Sequence, residues 1–203
     1  VFKSYPRREV LSSEEISSLP NFPSKRNGVL FQCRLWDPSY FPPKEADHLN
    51  NLNKIRINII QKLKKEFGSA YFGGLQNNPY AQKIAPQLIV QSLTNRKNYI
   101  DSVKSAALVV TTNGISESIG WKMGEFVALS KPIICEPLMH KVPGDFEKNR
   151  HYLEFVSEDS CLENCVKLIE NPSVTTSLSE NCYSYYHRYL RPDVLVLNSL
   201  TRN

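Results

Sequence analysis

Short apolar runs alternate with amphipathic segments along most of this chain, and this alternation restricts its fold more than any other feature. The clearest run is Ala107-Leu108-Val109-Val110-Thr111-Thr112, which suits one strand buried on both faces. The predicted strands are 28–33, 70–72, 88–90, 107–112, 131–135 and 152–155. Strands of this kind, separated by helices, are typical of a parallel sheet that is covered on both sides. The sequence therefore predicts an α/β, Rossmann-like fold with a mostly parallel sheet and helices on both faces.

The segments between these runs carry helical periodicity. Apolar residues recur every three or four positions from Leu52 to Phe67, and Gly68 is expected to end that helix. Ser157 is a typical N-cap for a later helix. The predicted helices are 52–67, 96–105, 118–129, 158–169 and a last helical stretch from 172 to near 192.

The chain divides into three parts by composition. Residues 1–27 combine prolines, serines and charges without periodicity, and we expect a linker or the end of a missing amino-terminal domain. Residues 28–192 are expected to form the Rossmann-like domain, and residues 193–203 a tail. Because the chain starts at Val1 without an initiator Met, we expect it to be part of a larger protein.

The charge and cysteine content argue against a nucleic-acid binding protein and against a disulfide-bonded secreted protein. The formal net charge of the 203 residues is +5, and the basic residues are separated by acidic ones rather than gathered in a stripe. This distribution favours an ordinary solvated surface, with some attraction for anionic ligands or a membrane face, over a nucleic-acid binding surface. Five cysteines without a C-x-x-C pair favour a reducing, cytoplasmic location, with the inner membrane face as an alternative. No apolar run approaches the ~20 residues that span a bilayer.

The segment that follows strand 107–112 is the predicted ligand site, because ligands of open α/β sheets bind at the carboxyl ends of strands. Gly114 and Gly120 permit tight turns and a close approach of the backbone. The helix predicted from Ser118 would offer free N–H groups to a phosphate. Glu117 precedes that helix and Glu125 lies two turns inside it, so we expect both carboxylates to face one crevice, where one accepts from a ribose and the other from a sugar.

Two common nucleotide-binding patterns are absent from the sequence. No G-x-G-x-x-G follows the first predicted strand, and there is no G-x-x-x-x-G-K-[ST]. Dehydrogenases and P-loop nucleoside triphosphatases are therefore disfavoured.

Glu117, Gly120 and Glu125, followed by Ala128-Leu129-Ser130-Lys131-Pro132-Ile133-Ile134, resemble the donor-binding motif of GT-B glycosyltransferases of the group 1 type. Cys33-Arg34-Leu35 is similar to the Gly-Arg-Leu of that family, and Tyr71-Phe72-Gly73 is similar to the end of its next strand. The resemblance covers residues 28–190. It implies that the chain is the carboxyl-terminal, nucleotide-sugar-binding half of such an enzyme.

The resemblance also implies roles for single residues. Glu125 would bind the ribose, and Glu117 would contact the donor sugar. The backbone of Ser118, Ile119 and Gly120 would cradle the diphosphate beside Gly114. Arg34 would stabilise the negative charge of the leaving diphosphate.

The chain departs from the family pattern at the second phosphate cation, and its match is weaker in the segment that holds the base. The family has a Lys five residues after the Arg, where this chain has Ser39, so that Lys44 is the nearest candidate for the second phosphate cation. Thr94 and Arg96 lie in the segment where the family holds the base. The resemblance implies no metal and no cofactor besides the donor, a nucleotide diphosphate sugar of the UDP or GDP type.

The function implied is transfer of a sugar to a saccharide or lipid-linked acceptor in polysaccharide biosynthesis, with a motif closer to that of retaining enzymes. The implied partners are the donor, the acceptor and an amino-terminal domain. Two alternatives stay open. One is a non-catalytic module of the same fold that binds nucleotides or phosphosugars. The other is a flavodoxin-like interaction or regulatory domain, in which Arg34, Glu117 and Glu125 would not converge.

Overall fold

The computed structural model describes residues 28–201, except for the side chains of Leu93 and Thr94. Five strands form one sheet: β1 (Val29–Cys33), β2 (Tyr71–Leu75), β3 (Leu108–Thr111), β4 (Ile133–Cys135) and β5 (Tyr152–Glu154). Their order is β2-β1-β3-β4-β5, and every neighbouring pair is parallel. This confirms the predicted α/β, Rossmann-like class. The prediction for residues 1–27 concerns a segment outside the described residues.

Helices connect the strands and cover both faces of the sheet. They are α1 (Pro43–Phe67), α2 (Pro79–Ile84), α3 (Arg96–Ser105), α4 (Lys122–Ala128), α5 (Glu158–Glu170), α6 (Pro172–Tyr185) and α7 (Pro192–Thr201). A π-helical turn, Tyr186–Leu190, joins α6 to α7. The side chain of Ser157 accepts from the backbone N–H of Ser160, as expected of the cap that starts α5.

Alternate side chains of the strands enter two separate cores. Val29 and Phe31 pack with α1 and α5 on one face, whereas Leu30 packs with α3, α4 and α6 on the other. The same alternation separates Val110 from Val109 in β3. Each face of the sheet is therefore apolar, which is why these strands read as unbroken apolar runs in the sequence.

Two of the strand predictions are wrong in detail. The second strand does not end at Gly73-Gly74, since both glycines pair with β1 inside β2. A Cβ added to Gly73 would lie 2.2 Å from the carbonyl oxygen of Phe31, so glycine is needed there for the close approach of two strands. Residues 88–90 do not form a strand; Ile89 makes a single bridge to Leu75 after a 3-10 turn.

The predicted helix 118–129 begins four residues later than expected, at Lys122. Before it, Ser116 and Glu117 have φ values of 53° and 58°, and Ser118 is extended. Left-handed backbone at two consecutive non-glycine residues cannot belong to an α-helix. The segment between β3 and α4 is therefore an irregular loop around a short 3-10 turn, Ile115–Glu117.

The last helix, α7, exposes apolar side chains, and none of its residues is buried. It occupies most of the region predicted as a tail. Within residues 28–201, no helix combines the length and the apolar character that crossing a bilayer requires.

Candidate functional site

A cavity of about 1220 Å³ opens at the carboxyl ends of β1 and β3. Its wall contains residues that end these strands, such as Cys33 and Thr111, and residues of the loop before α4, such as Gly114 and Gly120. The chain leaves β1 toward one edge of the sheet and β3 toward the other. Such a switch point is where open α/β sheets bind their ligands.

The cavity is strongly cationic. Four of its lining residues carry positive charge: Arg34, Arg56, Arg96 and Lys122. Among the described residues that line it, none carries a carboxylate. A concave surface of one charge sign concentrates ligands of the opposite sign, so this arrangement suits an anion.

Arg34 and Trp36 form one side of the opening. The guanidinium carbon of Arg34 lies 4.5 Å from the centre of the Trp36 ring. The backbone of Trp36 is held by Asn53 of α1, whose side-chain oxygen accepts from the Trp36 N–H at 3.0 Å and whose amide donates to the Trp36 carbonyl at 2.7 Å. Helix α1 thereby positions the segment that carries the Arg34 cation.

The buried Arg56 of α1 joins the ends of both central strands. Its guanidinium donates to Thr112 Oγ1 at 2.9 Å, to the Arg34 carbonyl at 2.6 Å and to the Asn113 carbonyl at 2.8 Å. Burial lowers the pKa of Arg56, and the acidic Glu136 opposes that shift. Three acceptors on two loops allow this charge to stay buried and give the cavity floor a defined geometry.

Glu125 lies behind the cavity wall in an ion pair. Arg96 Nη2 is 2.7 Å from Glu125 Oε1, and the Glu125 side chain is only 8% exposed. Burial raises the pKa of Glu125, and the neighbouring charges of Arg96 and Lys122 oppose that shift. The carboxylate is therefore already engaged by a cation of the cavity.

The amine of Lys122 lies inside the cavity wall. Its Nζ donates to the Gln32 carbonyl at 2.6 Å and lies 5.1 Å from the centre of the Tyr99 ring. Burial lowers the pKa of Lys122 to about 8. This lysine stands at the first position of α4, directly after the glycine-containing loop.

The loop before α4 approaches the cavity with its backbone. The N–H of Gly114 donates to the Ser118 carbonyl at 2.7 Å, and the Ser118 N–H donates to the Ile115 carbonyl at 3.2 Å. A Cβ added to Gly114 would lie 2.6 Å from the Ser118 hydroxyl, so a larger residue at position 114 would collide with Ser118 unless that side chain moved. At Gly120 a Cβ would meet no atom within 4 Å, which leaves open space beside the backbone.

The structure brings some of the predicted site residues together and separates others. Those that line the cavity are Arg34, Arg96, Gly114, Ser118, Ile119 and Gly120. Glu117 and Lys44 are exposed, and neither is a lining residue in the described part of the chain. The backbone of Thr94 ends a 3-10 turn, Gln91–Thr94, and its side chain lies outside the description.

The helical spacing expected to aim Glu117 and Glu125 into one crevice is not present. Because α4 begins only at Lys122, the nine residues from Glu117 to Glu125 do not form two helical turns. Glu125 is buried against Arg96, whereas Glu117 lies near Glu136. Burial raises the pKa of Glu136, and the charge of Glu117 adds to that shift.

Sequence reasoning missed Arg56, Lys122 and Trp36 as parts of the site, whereas it expected Trp121 in the core or in the crevice wall, and Trp121 does line the cavity. Arg56 follows Leu52 by four residues and therefore lies on the apolar face of the predicted helix, which was a usable signal. Lys122 stands in the first turn of a helix, where the helix dipole disfavours a cation. Trp36 carried no comparable signal.

Residues 28–201 contain no candidate metal-binding site. No group of three or more His, Cys, Asp or Glu residues in that range is placed to hold a metal ion.

Comparison with known proteins finds matches to solved structures. Neither a protein-family profile nor a curated protein sequence matches the chain. The carboxyl-terminal domain of the glycosyl transferase group 1 family protein LpcC from Francisella tularensis aligns over 90% of this chain and 100% of that domain, with a TM-score of 0.61 and 9% identity.

Two longer structures also align. Alr3699/HepE from Anabaena, solved in complex with UDP, matches 94% of this chain with a TM-score of 0.60 and 16% identity. WaaG, a glycosyltransferase involved in lipopolysaccharide biosynthesis, matches 95% with a TM-score of 0.57 and 11% identity. The chain spans 54% of the length of each. Its fold is that of the carboxyl-terminal domain of GT-B glycosyltransferases.

Proposed function

We propose that this chain is the donor-binding domain of a glycosyltransferase and that a nucleotide diphosphate sugar of the UDP or GDP type occupies the cationic cavity. The observation that carries the proposal is the set of four cationic side chains at the switch point of the sheet, without a lining carboxylate among the described residues. A diphosphate is the part of such a donor that needs this charge. The fold similarity to a protein solved with UDP supports the same choice.

The proposed reaction transfers the sugar to a hydroxyl of a saccharide or lipid-linked acceptor. The bond between the anomeric carbon and the diphosphate oxygen breaks, and its electron pair leaves with the nucleoside diphosphate. A bond forms between the anomeric carbon and the acceptor oxygen, and the proton of the acceptor hydroxyl is released to the departing nucleoside diphosphate or to solvent. Arg34 would stabilise the negative charge that develops on the leaving diphosphate. We propose retention of configuration on the motif resemblance alone.

Further partners belong to the same proposal. The acceptor and the opposite wall of the cleft would come from an amino-terminal domain, and the chain would work in polysaccharide biosynthesis in the cytoplasm or at the inner membrane face. The five cysteines are all buried and free in the described part of the chain, which is consistent with a reducing compartment.

Calorimetric titration of the chain with UDP and with GDP, in the presence of EDTA, tests donor binding. We expect saturable binding by the wild type, and Arg34→Met should weaken it by roughly tenfold to a hundredfold, since a charge-assisted hydrogen bond contributes about 1.5–3 kcal/mol. Lys54→Met is the matched control, because Lys54 is exposed on α1 and does not line the cavity. Absence of binding of either nucleotide, or equal binding by Arg34→Met, would contradict the proposal.

Sugar transfer is a separate measurement. A polypeptide that holds both halves of the enzyme should release nucleoside diphosphate from the donor when the acceptor is added. Nucleotide binding without any release would instead identify the non-catalytic module of the same fold.

A further inference from the structure

Lys122 is a cation of the cavity, and none of the described residues that line the cavity forms an ion pair with it. Its ammonium donates to a neutral group, the Gln32 carbonyl at 2.6 Å, and lies over the Tyr99 ring at 5.1 Å. The nearby acid on its own helix, Glu125, is in contact with Arg96 at 2.7 Å. An ammonium has three donors, and the Gln32 carbonyl accepts from one of them.

The groups that face this ammonium come from four elements. They are Gln32 and Cys33 of β1, Arg56 of α1, Tyr99 of α3 and Glu125 of α4. Arg56 disfavours the charged amine, while Glu125 and any thiolate form of Cys33 favour it. A lysine in the first turn of a helix and beside an arginine is unfavourable unless an anion compensates its charge.

The location of Lys122 relative to Arg34 suits a single diphosphate. Its ammonium binds the carbonyl of Gln32, two residues before Arg34 in the chain, and two extended residues span roughly 7 Å. Both side chains line the same cavity. Lys44, the candidate from the sequence, is exposed and does not line it.

We propose that Lys122 is the second phosphate-binding cation of this site and shares the diphosphate of the bound nucleotide with Arg34. The inference rests on the proposed function, since it names the residue that the donor would use. On binding, the phosphate oxygens accept from the ammonium of Lys122, which still has donors beyond the one that the Gln32 carbonyl accepts. Lys122 would then also stabilise the diphosphate as it leaves.

Binding of a diphosphate next to this amine should be accompanied by proton uptake. The pKa of Lys122 is lowered to about 8 by burial, so at pH 8 the amine is only partly protonated. An adjacent dianion raises that pKa. The second pKa of a phosphate monoester is about 6, so UDP itself is fully ionised at pH 8 and does not contribute.

Calorimetry of UDP binding at pH 8, in two buffers of different ionisation enthalpy, measures this uptake. We expect the wild type to take up about half a proton, the fraction missing from a group whose pKa equals the pH. Lys122→Arg should bind UDP with similar affinity but without the uptake, because its guanidinium stays protonated. Lys122→Met should bind about tenfold more weakly and also without uptake.

Arg34→Met is the matched control, because it should lose affinity and keep the proton uptake. Thermal unfolding of each variant without ligand shows whether it is folded. Unchanged affinity in Lys122→Met, or equal proton uptake in wild type and Lys122→Arg, would overturn the inference and leave the proposed function intact. Failure of the wild type to bind UDP and GDP would instead overturn the proposed function.

Discussion

The guanidinium of Arg96 lies 2.7 Å from the carboxylate of Glu125, and this contact joins the first residue of α3 to the buried face of α4. Arg96 lines the cavity, whereas Glu125 lies behind it. A ribose that binds Glu125, as the family resemblance implies, must therefore share or displace the contact between Glu125 and Arg96. The pair couples the ligand site to the packing of two helices.

Removing either partner of this pair should have unequal effects on stability. Arg96→Met leaves the buried Glu125 carboxylate without its cation, and we expect the free energy of unfolding to fall by about 3 kcal/mol. Glu125→Gln leaves the guanidinium of Arg96, which is 33% exposed and can reach water. The free energy of unfolding of this variant should therefore fall by only about 1 kcal/mol. Urea unfolding at pH 7 measures both. Equal losses would mean that the contact does not hold Glu125 in the way described.

Arg56 should be a major determinant of stability. Arg56→Met removes three hydrogen bonds and leaves the carbonyls of Arg34 and Asn113 without this donor, so the free energy of unfolding should fall by about 3 kcal/mol or more. Lys54→Met, an exposed position on the same helix, should change it by less than about 0.5 kcal/mol. Chemical denaturation of the two variants side by side tests the difference, and a loss of less than about 1 kcal/mol in Arg56→Met would argue against this role.

A methyl group at Gly120 should affect the ligand and not the fold. A Cβ there meets no protein atom within 4 Å, yet the residue lines the cavity. We expect Gly120→Ala to keep its melting temperature and to bind UDP about tenfold more weakly, because the methyl occupies the space that a phosphate would use. Nucleotide binding as tight as that of the wild type would show that the ligand does not approach this backbone.

Gly124→Ala is the natural partner experiment. A Cβ at this position also meets open space, but the residue lies within α4 and does not line the cavity. It should leave nucleotide affinity unchanged and raise stability by about 0.5–1 kcal/mol through helix propensity.

Acid should destabilise the domain through His151. The Nδ1 atom of this buried ring accepts the Glu147 N–H at 3.0 Å, and burial lowers the pKa of His151 below its usual 6.5. The unfolded chain therefore binds a proton before the folded one does, so stability is complete above pH 6.5 and falls as the pH drops below it.

Unfolding free energies of the wild type between pH 7 and 5 should show this decline. His151→Asn should show a shallower one, since it removes the titrating group. His140→Asn, at an exposed histidine, should follow the wild type. Parallel curves for the wild type and His151→Asn would exclude His151 as the source.

The fold was predictable because the strands bury both faces. Runs such as 29–33 and 108–111 contain almost no polar residue, and a cap such as Ser157 marks its helix directly. The loop before α4 was not predictable, since Ser116 and Glu117 adopt left-handed backbone without glycine. No local pattern announces a conformation that is held by contacts elsewhere.

The location of the candidate site was predictable from the sequence, but only some of the residues that form it were. The rule for strand ends placed Gly114 and Gly120 at the cavity, and the family resemblance added Arg34. Arg56 and Lys122 reach it from helices, and the distance between a helix and a strand end depends on tertiary packing that periodicity does not contain.

The two tryptophans of this chain both line the cavity, with Trp36 beside Arg34 and Trp121 beside Arg96. The indole emission of the protein consequently originates at the site. The Trp36 backbone is hydrogen-bonded to the side chain of Asn53, whereas Trp121 is 66% exposed. The fluorescence of Trp121 should therefore lie at longer wavelength and be quenched first by iodide. The domain thus carries its own optical reporter, and the arrival of a nucleotide can be followed without a label.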